Sequence, residues 1–440
     1  DSVYVIHKIV VEGNKKTNEK IILPELTFKE GDSIPAADLS IHTVTSKNNL
    51  NNTSLFNYIH IDTVLNYPEI ECIIKVEERW YTWPYLILDH ADRNFNAWIE
   101  SERPLERIIW GLYLRQENFR GRKELLKFKF VFGYREHYAI KYEIPFIDKK
   151  QQQGVSVSFS YYQQHETHYE VRDNELQYYK SPDKYLLNYF TLNATYTLRK
   201  YLFAEHWFTI GTVNASALDT LVRLNENYFG NSQRSLDYFY MEYDFHYERR
   251  DYKIYPLKGY YIGIKLRKSG LGIYRNSMNN GYLQTSLRNH FQLAKRWYYG
   301  MGITTKINFS KDKPYFRKKP LGFDDYLRGY EHYVIEGHNY IVSRNSLKFC
   351  VLPKTILHLK FIPFSKFNKI HFSMYMNANF DAGYAESYRM LNNNYMSNEL
   401  LYGTGLGLDI VTYYDQLMRI EYSCNKQGEA GFYIHFEAPI

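Results

Sequence analysis

The chain has 440 residues, of which 45 are Tyr and 27 Phe, while 23% are charged, so it is aromatic without being apolar throughout. Its formal charge of +7 comes from 55 Lys and Arg scattered among 48 Asp and Glu, with no basic run long enough to track a phosphate backbone, and this excludes nucleic acid as a partner. No window approaches the ~18 consecutive apolar residues of a membrane helix. A transmembrane β-barrel is not excluded, because its strands need only one apolar face and its girdles use tyrosine.

The chain starts at Asp1 without a charged and apolar leader, as expected of a processed product. Cys72, Cys350 and Cys424 show no CxxC or Cys/His ligand spacing, so neither a disulfide framework nor a metal site is expected.

Residues 1–80 read as one small α+β domain. Tyr4 to Glu12 is a run of β-formers closed by the turn pair Gly13-Asn14. A helix follows, capped by Thr17 or Asn18, with Ile21, Ile22 and Leu26 on its apolar side, and Gly31-Asp32 ends the connection. A second helix runs from about Ala36 through Leu39, Val44 and Leu50. Phe56–Val64 and Glu69–Glu77 then alternate as two strands joined near Pro68. The expected order is βααββ.

Residues 81–440 read as strand after strand. Leu126, Phe128, Phe130 and Phe132 share a face opposite Lys127 and Lys129. Leu283, Leu287, Phe291 and Leu293 oppose Gln284, Ser286, Arg288, His290 and Gln292, an alternation of the length that spans a bilayer, about 9–11 residues. Tyr260–Leu266 and Leu236–Tyr247 repeat the pattern, with Phe239, Met241, Tyr243, Phe245 and Tyr247 against Asp237, Glu242, Asp244 and His246. Eleven strands precede residues 327–330 and five follow. The sum is even, as a closed bacterial barrel requires. Connections after even-numbered strands are mostly short (119–123, 148–154, 249–259, 294–297, 413–416), and those after odd ones are often long and polar (165–184, 218–234, 270–281, 310–339, 385–400). A soluble sandwich has no reason to sort its loops by side, and a membrane barrel does.

Two segments resemble one family, the BamA/TamA superfamily of outer-membrane assembly and two-partner-secretion barrels. The βααββ segment, with Val10-Val-Glu-Gly-Asn14, Thr17, Leu26, Gly31-Asp32, Leu50 and Phe56, is similar to a single polypeptide-transport-associated (POTRA) domain. The barrel resembles the family through Leu327-Arg-Gly-Tyr330, Phe380-Asp-Ala-Gly383, Tyr402-Gly-Thr-Gly-Leu-Gly-Leu408 and the turn Arg249-Arg-Asp251…Pro256-Leu-Lys-Gly259, in the family's order. The resemblance implies a loop latch of Leu327, Arg328, Gly329 and Tyr330, in which Arg328 folds into the lumen. Alternation puts Phe372, Met374, Met376, Ala378 and Phe380 on one face and Asn377, Asn379 and Asp381 inward, so Asp381 is the expected partner of Arg328.

Where the family offers a second wall carboxylate, Lys348 stands on the lumen face and is expected to repel Arg328 or compete for Asp381. Glu242, Asp244 and Glu421 are the alternative sources of negative charge. A closing seam is expected between Tyr85, Leu86 and Leu88 on the first strand and Phe432, Ile434 and Phe436 on the last, although Glu437–Ile440 continues past the usual aromatic end.

Catalytic sets are absent: there is no GxSxG elbow, HExxH or P-loop, and His165 and His168 are a chance pair in a long loop. Gly403–Gly407 opens no helix and is read as relief of crowding inside a strand. No enzyme activity and no cofactor are expected. The resemblance implies instead a factor in the bacterial outer membrane, with its POTRA-like domain in the periplasm, that folds and inserts client barrels or translocates polypeptides. Its partners would be unfolded outer-membrane or secreted polypeptides, outer-membrane lipids, and periplasmic or lipoprotein accessory subunits. The alternatives are a dedicated secretion pore and a passive porin-like channel, for which the POTRA-like segment has no purpose. Tyr178, Tyr179, Tyr315 and Tyr388 in the long loops are expected to seal the lumen or to meet a partner.

Overall fold

The computed structural model describes residues 3–90, 104–273, 278–310, 313–318, 321–323, 325–360, 362–363, 367–388 and 394–435. Its N-terminal unit is built from β1 (Val3–Glu12), α1 (Glu19–Ile22), β2 (Ser33–Pro35), α2 (Leu39–Asn52), β3 (Phe56–Asn66) and β4 (Glu69–Glu78). Asn18 caps α1 by accepting the Lys20 amide at 3.0 Å, one of the orphan donors of a helix start. The helix lasts one turn before Pro24 tightens the next residues into a 3-10 turn. The sheet order is β2-β1-β4-β3, with β1 parallel to β4. β2 adds a strand to the expected βααββ order; three residues are too short to show a period. Ile6, Ile22, Leu50, Ile70, Cys72 and Ile74 form the core of this unit and are fully buried.

A sixteen-stranded antiparallel sheet follows, each strand pairing with the next. Its strands are β5 (Thr82–His90), β6 (Ile108–Phe119), β7 (Glu124–Gly133), β8 (Arg135–Ile144), β9 (Gln153–Gln164), β12 (Leu187–Tyr201), β13 (Ala204–Ala217), β14 (Ser235–Glu248), β15 (Gly259–Ser269), β16 (Asn280–Ala294), β17 (Trp297–Asn308), β18 (Asn339–His358), β19 (Lys369–Glu386), β20 (Leu400–Val411), β21 (Leu417–Asn425) and β22 (Ala430–His435). The hairpin β10 (Glu166–Arg172) and β11 (Glu175–Lys180) stands apart as a two-stranded sheet in a long loop. Eleven strands of the large sheet precede residues 327–330 and five follow.

Side chains alternate as a membrane barrel requires. Leu86 (89%), Leu406 (69%) and Phe432 (78%) are exposed on the outer face, and Arg344, Lys348, Asn377, Asp381, Asp409 and Arg419 are buried on the inner one. The sheet curls, because Trp83 of β5 meets Tyr414, in the turn before β21, edge-on at 4.7 Å. Among the described residues no ladder joins β5 to β22, and β22 contributes six residues paired with β21. Leu86 and Leu88 face outward on β5. Tyr85 alternates to the other side, where it stacks on Trp83 and Tyr113. Phe432 and Ile434 face outward on β22; Phe436 lies outside the described residues.

The long-loop mouth is covered. Asp173 and Asn174 at the tip of the β10–β11 hairpin have positive φ, and Asn174 receives the Val334 amide on its carbonyl at 2.8 Å while its own amide donates to Asn394 Oδ1 at 2.8 Å. The hairpin is thereby pinned to two other loops. Tyr315 is buried in this cover and shares a 2.8 Å hydrogen bond with His168 Nδ1. Tyr178 and Tyr388 remain exposed.

Candidate functional site: a latched loop inside the barrel

Residues 325–335 of the loop after β17 return into the barrel, and glycines make the space they occupy. Gly329 has a φ of +78°, and a Cβ there would stand 3.1 Å from Asn425 Cβ, so a side chain is disfavoured by backbone and by space. Asn425 Nδ2 donates to the Gly329 carbonyl at 2.9 Å. On the lumen face of β20, a Cβ on Gly403 would lie 1.9 Å from the Arg328 carbonyl oxygen, one on Gly405 2.9 Å from Glu421 Oε1, and one on Gly407 2.9 Å from Asn377 Oδ1. The glycine row is a trough between β19 and β21 into which the loop backbone and the wall carboxylate fit.

Apolar neighbours hold the loop on both sides of Arg328. Leu327 and Tyr330 are buried with Leu321, Ile335, Tyr340, Val342, Met396 and Leu401. The Tyr330 hydroxyl accepts the Lys426 amide at 3.2 Å and donates to the Tyr402 carbonyl at 3.3 Å. Between these anchors the Arg328 guanidinium has no route to solvent.

Arg328 is 2% exposed and meets two carboxylates that are each 1% exposed, Glu421 on β21 and Asp381 on β19. Its Nη1 donates to Glu421 Oε2, and its Nε stands 3.5 Å from Asp381 Oδ2. Asn379 Nδ2 also donates to Glu421 Oε2, at 2.8 Å. A cation desolvated this fully is tolerated because anions flank it, and its planar fork suits two acceptors at once.

Of the three alternative carboxylates, Glu421 is the one brought to Arg328. Glu242 and Asp244 face the lumen on β14 but meet Arg267 at 3.2 Å and Lys265 at 3.0 Å on β15. The competition expected from Lys348 does not arise. The β18 residue opposite Asp381 is Arg344, whereas Lys348 is opposite Asn377, four residues or roughly 13 Å along the strand. Arg344 donates to the Tyr326 carbonyl at 2.8 Å and stands 3.4 Å from Asp325, so it braces the loop.

Lys348 belongs to a second buried cluster at the short-turn end. Its Nζ donates to the Pro256 carbonyl at 3.4 Å and lies 4.4 Å from the Tyr255 ring centroid. Tyr255 donates to Asp409 Oδ2 at 2.8 Å, and Arg419 grips Asp409 with two bonds of 2.6 and 2.8 Å. The turn between β14 and β15 is thus drawn into the lumen. Sequence reasoning missed Arg419, Asp409 and Tyr255; alternation from Glu421 and from Gly407 places the first two inward, a signal that was present and unused.

The α+β unit closes the short-turn mouth. Arg79 donates through both terminal nitrogens to Asp415, which also accepts from Ser54 at 2.9 Å and from Tyr252. Burial disfavours the Asp415 anion, but Arg79, Tyr252 and Ser54 outweigh it and hold the carboxyl below its usual range. Arg199 grips Glu25 through bonds of 2.6 and 2.7 Å, with Lys123 at 3.6 Å. Burial again opposes the charge, and these cations overcome it, placing Glu25 at about 2 against 4.5 for a free glutamate. Asn52 completes the seal by accepting the Lys253 amide at 2.9 Å.

No group of three or more His, Cys, Asp or Glu that could hold a metal occurs among the described residues. His165 instead packs on Tyr134 and Tyr185.

No family model matches the chain, and no curated protein does. Solved structures do. BamA from Haemophilus ducreyi lacking POTRA domains 1–3 aligns over 98% of this chain and 83% of its own, with a TM-score of 0.52 and 14% identity. CdiB from Escherichia coli aligns over 98% of this chain and 75% of its own, with a TM-score of 0.55 and 11% identity. The chain shares the fold of these BamA and CdiB structures, a sixteen-stranded antiparallel sheet behind a small α+β domain.

Proposed function

We propose that the protein resides in the bacterial outer membrane, carries residues 1–80 as a periplasmic POTRA-like domain and residues 81–440 as the barrel, and folds and inserts client β-barrels. The observation that carries the reading is the seam. Among the described residues β5 and β22 are not paired with each other, and unpaired strand edges accept further strands by main-chain hydrogen bonding. A passive channel closes its sheet to abolish such edges. The proposed cycle is mechanical: a client hairpin adds to β5 or β22, the latch keeps the remaining wall in register, and the α+β unit prevents leakage through the short-turn mouth. β3, an outer strand of the small sheet, offers a second edge to clients or accessory subunits.

The test is a disulfide between cysteines placed in β5 and β22, with client assembly followed before and after reduction. Loss of assembly on oxidation and recovery on reduction supports the gate, and full activity of the locked barrel overturns it. A dedicated secretion pore is the second reading, favoured by the charged lumen wall of Glu242, Asp244, Lys265 and Arg267. Outer-membrane proteomics after depletion separates the two: general loss of barrels favours assembly, and loss of one exported protein favours the pore.

A further inference from the structure

A cavity of about 380 Å³ lies at the short-turn mouth, between the inner wall of β12–β16 and the residues Glu25, Asn49 and Asn52 of the α+β unit. Its charges do not balance. Glu25 is taken by Arg199 at 2.6 Å and Lys123 at 3.6 Å, Glu205 lies 3.7 Å from Arg199, and Glu248 accepts Arg250 Nε at 2.7 Å. Arg288 and Lys253 line the same cavity, and among the described residues neither has an ion pair. The carboxylates next along the wall are committed elsewhere, Asp244 to Lys265 at 3.0 Å and Asp325 to Arg344 at 3.4 Å. Two cations are left over.

Arg288 is held in place. Its stem lies over Gly302, where a Cβ would stand 3.5 Å from Arg288 Cγ, and its guanidinium is 5.7 Å from the centroid of the Tyr261 ring. Arg250 lies against the same ring at 4.9 Å, so two guanidinium forks converge on it. The ring is fixed in turn, stretched over Gly263, where a Cβ would stand 2.6 Å from the Tyr261 hydroxyl. Two residues further along the lumen face, His290 is 2% exposed, and neither of its ring nitrogens has a hydrogen-bond partner among the described residues. The charged groups acting on it are Lys348, Arg250 and Arg288, all cations. Positive charge on this stretch of β16 is unanswered by the protein, where an unmatched buried charge is costly.

We propose that this cavity binds a phosphate group, gripped by Arg288 and Lys253 with Arg250 alongside. A phosphate dianion matches the two leftover charges, and guanidinium forks suit its oxygens bidentately. The volume falls within the range of about 300–1,000 Å³ usual for small-ligand sites. Solvation alone serves an exposed lysine such as Lys253, but Arg288 and the buried His290 lie in surroundings of lower dielectric, where a bound anion is worth more. Phosphate bound there ties β16 and the β14–β15 turn to the α+β unit, adding to the hydrogen bonds of Asn52 with Arg250 and Lys253.

The test is equilibrium dialysis of the full chain in zwitterionic detergent against radiolabelled inorganic phosphate, at fixed ionic strength in chloride. Wild type should bind saturably. Arg288→Met should weaken binding roughly 10- to 100-fold, the worth of a charge-assisted hydrogen bond, whereas Glu248→Gln, which frees Arg250, should tighten it. Lys200→Met, at an exposed lysine of the neighbouring β12–β13 turn, should change nothing, and heat-modifiability reports that each barrel is folded. No saturable binding by wild type, or the same affinity in Arg288→Met and Glu248→Gln as in wild type, overturns the site. Displacement by glycerol 3-phosphate identifies a soluble ligand, and displacement only by phosphatidylglycerol in mixed micelles identifies a lipid headgroup; either supports a phosphate site.

Discussion

Arg328→Ala isolates the latch. The substitution removes a side chain that is 2% exposed and leaves Glu421 and Asp381, each 1% exposed, facing one another without a cation. Breaking a buried ion pair by deleting one partner costs about 3–5 kcal/mol, most of it the penalty of the unpaired charge. The loss should appear as a lower midpoint for heat-modifiability in detergent and as protease cleavage in 309–338. Arg328→Lys keeps the charge but not the fork that spans two carboxylates, so it should fall between wild type and alanine. A triple variant, Arg328→Met with Asp381→Asn and Glu421→Gln, leaves no buried charge to penalise and should recover most of the midpoint. If Arg328→Ala matches wild type in midpoint, protection and complementation, the latch does not bear on stability or function. If the triple variant is no better than alanine, the unpaired carboxylates are not the source of the loss.

Gly403→Ala should displace the loop without touching a charge, because its Cβ would lie 1.9 Å from the Arg328 carbonyl oxygen; overpacking of this kind costs about 1–3 kcal/mol, read by the same protease assay. Glu25 at about 2 is a depressed carboxylate, so its contribution to docking the α+β unit is complete above about 4.5 and is lost as pH falls toward 2. Crosslinking between that unit and the β12–β13 turn should therefore be constant from neutral pH to about 5 and decline below about 4, and Glu25→Gln should flatten the profile. Lys348→Met removes a cation from the Tyr255 cluster four residues from the latch register. It should alter proteolysis of the β14–β15 turn and leave the cleavage of 309–338 unchanged, and increased cleavage in 309–338 would count against the separation of the two clusters.

The strand count and its eleven-and-five division about residues 327–330 were legible because alternation is local: each strand carries its own two-residue period, and loop lengths sort the ends. The short β2 was not, since three residues carry no period. Inward orientation of Asp381, Lys348 and Glu421 was legible from the same alternation, but alternation fixes a side and not a height. Height depends on the register between strands, which sets Arg344 rather than Lys348 opposite Asp381 and brings Glu421 of β21 to Arg328 across the glycines of β20. Those glycines were the missing clue to register. A lumen-facing glycine has no packing role of its own on a strand, so a row of three marks where something else approaches the wall. Gly403 marks the loop backbone and Gly405 the carboxylate it pairs with, two residues apart on one face, so the row records the height of the latch that alternation alone leaves open.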